Sequence, residues 1–182
     1  MPVDARAAAV VDDVRAKIAR EGFAVIGVFP TPERPGVPFV YTVGMTAREL
    51  PELAIYGLPI SQAHQVLNWA ARQITDRGRA PEPGHRIEGV FGDGMDLAAV
   101  EMTNTHDLAK VAEVYGSVGS PLQLCWPDAD GLMPWEQGSK VGQDEQPVYG
   151  AAPLARKVYR AAKMSLDSIE DLAGLIAGEP KP

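Results

Sequence analysis

One cysteine, three histidines and no basic surplus leave several kinds of chemistry without their usual carriers. Cys125 is alone, so no disulfide can form within the chain, which fits a reducing compartment. No C-x-x-C, H-E-x-x-H, P-loop or G-x-S-x-G motif occurs. The net charge of −7 provides no broad basic face for nucleic acid and no polybasic membrane anchor. No run approaches the roughly 20 apolar residues that cross a bilayer. Asp4, Asp12 and Asp13 come before any long apolar run, so the start does not read as a leader. The expectation is a soluble, cytoplasmic protein with no cofactor, no metal, and no nucleic-acid or membrane partner.

What is present is ordinary core-forming material. A chain of 182 residues with 46% apolar content can bury a core without staples. We expect one domain over residues 1–150, followed by a helical extension over 151–182 with a frayed tail. Residues 4–20 space Ala7, Val10 or Val11, Val14 and Ile18 three and four apart, with Asp4 as N-cap and Gly22 as stop. Three strand-like runs follow at 23–30, 39–45 and 51–58, the first two joined by the proline-rich turn "TPERPGVP". The period then changes, and 61–78 reads as a helix capped by Ser61 and stopped by Gly78. "IEGVF" and "MDLAAVEM", with "GDG" between, read as a hairpin. A third helix is expected over 104–116 and a last strand over 121–128. This order predicts an α+β fold: a mainly antiparallel sheet of about six strands, with helices packed against it.

Candidate chemistry is sparse, and each group has a structural reading beside the functional one. Asp93 and Asp96 in "GDGMD" make a turn or, less simply, a metal contact, for which the run is short of oxygen ligands. His64, His85 and His106 carry no metal-ligand spacing. His106, expected in the first turn of a helix, is an exposed residue or a general base. Cys125, between Leu124 and Trp126, is a small buried residue or a thiolate nucleophile. Trp126, Asp128, Trp135 and Glu136 form the densest unusual cluster, "WPDADGLMPWE". It is either a lid sealing the sheet or a binding edge with aromatic walls. The period of two puts Tyr41 and Thr42 on opposite faces of their strand, one toward the core and the other toward solvent or a cleft. Gly44 then allows close approach of backbone or of a ligand.

Four blocks, "GFAVIGVF", "PFVYTVGM", "LPELAIYGLP" and "LQLCWPDADGLMPWE", resemble the successive blocks of an uncharacterised bacterial family of the domain-of-unknown-function type, family 4262. The resemblance spans about residues 20–137. It draws attention to Tyr41, Thr42, Gly44, Pro51, Glu52, Trp126, Asp128, Gly131, Pro134 and Trp135, and it implies no mechanism. Two readings follow. One is a non-catalytic binding module that takes a protein partner or forms a homodimer. The other is a small-molecule enzyme, a hydrolase or transferase without a tightly bound cofactor, built on Tyr41, Thr42, His106, Cys125, Asp128 and Glu136.

Overall fold

A computed structural model describes residues 3–90, 95–152 and 157–160. The chain runs α1 (Val3–Glu21), β1 (Ala24–Val28), β2 (Phe39–Val43), a one-turn 3-10 helix (Met45–Arg48) and β3 (Leu53–Tyr56). It continues through α2 (Ile60–Arg77), β4 (His85–Glu88), β5 (Leu97–Glu101), α3 (Ala109–Tyr115), β6 (Leu122–Cys125) and β7 (Lys157–Arg160).

The strands form one sheet in the order β1-β2-β3-β6-β5-β4-β7. Four of its pairings are antiparallel, but β3 lies parallel to β6 and β4 parallel to β7. The fold is α+β as expected, with a mixed sheet instead of a mainly antiparallel one. Between β3 and β6 the chain passes through α2, β4, β5 and α3, long enough for the crossover that parallel pairing needs. Residues 157–160 are strand where a helical extension is expected; the rest of that expectation, 153–156 and 161–182, lies outside the described residues. So does the "GDG" tip at 92–94, although the flanking strands β4 and β5 do pair as a hairpin.

Both faces of the sheet are covered. Ala63, Val66, Leu67, Ala70, Ala71 and Ile74 of α2 recur at helical spacing and pack on one face, against Val40, Leu53, Ile55 and Leu124. Val14 and Ile18 of α1, with Val111 and Val114 of α3, cover the other, against Phe39, Tyr41, Val43 and Tyr56. This double cover explains why all five residues of β2 are buried. The expectation that one of Tyr41 and Thr42 meets solvent or a cleft therefore fails: the two do point to opposite faces, and each face has its own helix layer.

Two helix starts also differ from the sequence reading. α2 starts one residue early, after Pro59, and Ser61 does not cap it. α3 begins at Ala109, because Asn104 takes the His106 N–H with its side chain at 3.2 Å and holds 104–108 as a turn. The stops agree: Gly22, Gly78 and Gly116 all take positive φ at helix ends. Gly44 is glycine for two reasons. Its φ is +129°, and a Cβ there would stand 2.8 Å from the Phe23 Cα at the junction of α1 and β1. The close approach is to backbone. Gly44→Ala is expected to destabilise the fold by about 2–4 kcal/mol, read as a lower urea midpoint at unchanged m-value; an unaltered midpoint would contradict that packing.

Candidate functional site

The segment between β2 and β3 turns on one buried side chain. Glu52 directly precedes β3, and its carboxylate reaches back to the end of β2 and the turn after it. One oxygen accepts the Gly44 N–H at 2.9 Å, the Thr46 N–H at 3.0 Å and the Thr46 hydroxyl at 2.8 Å. The other accepts the Thr42 hydroxyl at 2.6 Å. Thr42 Oγ1 in turn accepts the Leu53 N–H at 2.8 Å, one residue beyond the Tyr41–Ala54 pair where the β2–β3 register ends. The Glu52 carbonyl accepts the Leu122 N–H at 2.8 Å and so starts the parallel pairing of β3 with β6. Every buried side-chain polar atom of this knot is satisfied. Within it, Glu49 closes the 3-10 turn with φ +58°, the one positive φ of a non-glycine residue among the described residues.

Pinned this way, the segment forms a wall of a cleft of about 480 Å³. Thr46, Glu49, Leu50, Pro51 and Glu52 line that wall; Pro81, Glu82 and Pro83 line a second, and Val118 to Leu122 a third. Glu101 completes it, at the end of β5 in register with Leu122, which itself pairs with Leu53. The cleft therefore opens at one end of the central strands. Its lining combines apolar surface (Leu50, Val118, Leu122 and the prolines) with carboxylates. Its volume lies within the roughly 300–1,000 Å³ typical of ligand sites.

Of the residues singled out from sequence, Pro51 and Glu52 line this cleft; the candidate site residues lie elsewhere, most of them in packing roles. Tyr41 is buried against Phe39, and its hydroxyl accepts the Lys110 N–H at 3.4 Å. Burial pushes its pKa up to about 12. Cys125 is fully buried with Ala98, Val100 and Met133, and burial drives its thiol far above the thiolate range. His106 is exposed on the turn before α3, not within the helix. Trp126 is buried: its indole N–H donates to the Tyr56 carbonyl at 2.8 Å, and its backbone is clasped by Gln146 in two 2.8 Å bonds. Trp135 packs, half-buried, on the Cys125 cluster.

Asp128 and Glu136 shape the loop that carries these tryptophans. Asp128 accepts the N–H groups of Asp130 and Leu132 at 2.9 Å and that of Lys140 at 2.8 Å. Gly131 turns the chain at φ +78°. Glu136 accepts the Met133 N–H at 2.7 Å and pairs with the buried Arg86 at 3.0 Å. Within "WPDADGLMPWE", the carboxylates of Asp128 and Glu136 are engaged by the loop's own backbone and by Arg86. Trp126, Asp128, Trp135 and Glu136 come together there, while Tyr41, Thr42 and His106 stand apart from them. Sequence reasoning passed over Thr46, Glu49 and Glu101; the signal within reach was "TARELPE", whose two glutamates flank Leu50 and Pro51.

The architecture defines a two-sidedly covered α+β domain with a cleft at the end of its central strands. Residues 17–140 match the family described as Domain of unknown function (DUF4262), and the chain belongs to that family. No curated protein and no solved structure shows a significant match. The wall segment 44–52 and the whole cleft lining fall inside the matched span.

Two substitutions probe the carboxylates. Glu52→Ala leaves buried donors at Thr42 and Gly44 and half-buried donors at Thr46 without their acceptor, and is expected to cost about 3 kcal/mol or more in denaturant unfolding. A loss no larger than that of a surface glutamate would contradict the bonding described. For Asp128, burial opposes ionisation, but the three backbone N–H groups outweigh it and hold the carboxyl below its usual range. The stability from a depressed carboxyl is present above its unfolded value and lost as pH falls through the folded one. The stability gap between wild type and Asp128→Asn should thus be full at about pH 6 and close below about pH 4. A gap that widens on acidification would overturn this.

Proposed function

We propose that this chain is a non-catalytic binding module whose cleft receives an extended, basic segment of a protein partner. The observation that carries this reading is the cleft itself, whose wall is built by Glu52 and the segment it pins. Leu50, Val118, Leu122 and the prolines offer apolar surface to the methylene stem of a lysine or arginine. Glu49 and Glu101, both exposed at its edge, offer carboxylates to the charged head. The charge of −7 favours encounter with a basic partner. The enzyme reading has less support, because Tyr41, Thr42, His106, Cys125, Asp128 and Glu136 do not line this cleft.

Fluorescence anisotropy with a labelled Lys-Leu-Lys-Leu-Lys peptide tests it, with the Glu-Leu-Glu-Leu-Glu peptide as control. The basic peptide should bind, and the Glu49→Gln/Glu101→Gln double variant should weaken it by about five-fold or more, with the difference shrinking as salt rises. Equal binding of both peptides, or no effect of the double variant, would defeat the proposal.

A further inference from the structure

A second, smaller cleft lies where the β1–β2 loop meets the turn before α3. It encloses about 80 Å³ and is lined by Phe29, Arg34, Phe39, Tyr56, Asp107 and Tyr149, among others. Phe39 and Tyr56 are direct partners across β2 and β3, with stacked rings 5.0 Å apart. Tyr149 leans on Tyr56 at 4.8 Å. Asp107 stands at the edge of this aromatic floor. One of its oxygens accepts the Tyr56 hydroxyl at 3.2 Å, and the other is paired with the Arg34 guanidinium. That guanidinium also lies over the Phe39 ring, 5.2 Å from its centre.

Aromatic faces beside a carboxylate are the components that hold an organic cation. Here the cation in place is the chain's own. The floor is firm: Phe39 and Tyr56 are buried strand residues, and burial, reinforced by the neighbouring Asp107, keeps Tyr56 a protonated donor. The cation is the solvent-facing part. The Arg34 backbone is fixed by two 3.0 Å bonds with Thr31, but its side chain is 47% exposed. Rotation of that side chain would uncover the Phe39 face beside Asp107 and enlarge the cleft.

We propose that this cleft is a binding site for a compact organic cation, a guanidinium or alkylated ammonium group, and that Arg34 closes it as an internal competitor. Binding to the intact chain is then weakened by the fraction of molecules in which Arg34 has left. The site is separate from the larger cleft and shares no lining residue with it.

NMR titration with methylguanidinium and, separately, tetramethylammonium tests the proposal on three chains: wild type, Arg34→Gln and Arg34→Gln/Asp107→Asn. The first probe stands for arginine-type heads and the second for alkylated ammonium. Arg34→Gln should bind at least one probe saturably, with shifts centred on Phe39, Tyr56 and Tyr149, and about ten-fold more tightly than wild type. The double variant should lose that binding. Gln is shorter than Arg by two bonds and uncharged, so it leaves the floor open, and Arg34 is an exposed position whose replacement should leave the fold intact; unchanged melting of each variant verifies this. A folded Arg34→Gln chain that binds neither probe would overturn the proposal, as would equal binding by the double variant.

Discussion

A buried carboxylate needs several donors to offset its desolvation, and Glu52, which has no ion-pair partner among the described residues, has them in four hydrogen bonds from Thr42, Gly44 and Thr46. What those donors have in common is position. They sit at the end of β2 and in the turn that follows, so satisfying the carboxylate fixes the path of the chain between two core strands. The carbonyl of the same residue begins the β3–β6 pairing. One residue thus links the β1-β2-β3 meander to the half of the sheet containing β6, β5 and β4. It also holds the cleft wall at the junction. The function proposed here rests on a surface that exists because this interior polar group is satisfied.

A second carboxylate works by the same physics in the loop after β6. Asp128 gathers three backbone N–H groups and folds the tryptophan-bearing loop onto the sheet end. The residues of the family resemblance divide largely between these two knots: Thr42, Gly44, Pro51 and Glu52 at one, Trp126, Asp128 and Gly131 at the other. Their shared property is that each fixes backbone where regular hydrogen bonding stops. A motif of this kind marks the architecture directly and the site only through the surface it shapes.

Much of the element order was legible because its signals are local. The period of three and four in α2 needs only neighbouring residues to be read, and so do the glycine stops at Gly22, Gly78 and Gly116. The misreadings arose where distant chain decides the outcome. Tyr41 and Thr42 alternate as a strand should, yet the second helix layer, which covers the Tyr41 face, comes from α1 and α3, far apart in sequence. The parallel β3–β6 pairing depends on a crossover that no local pattern announces. α3 begins late because the Asn104 side chain competes with the first helical turn. The cleft was the least legible feature. Its lining comes from four stretches between Thr46 and Leu122, and none is unusual in composition alone.

Native-state hydrogen exchange at the Thr46 amide tests the central claim most directly. This N–H lies in a short turn, and its acceptor is the Glu52 carboxylate. If that carboxylate holds the wall, the Thr46 amide exchanges only through global unfolding, with the same opening free energy as the slowest amides of β2 and β3. Exchange of Thr46 at the rate of an open surface turn, while β2 and β3 stay protected, would show that the wall moves independently of the core and would contradict the account.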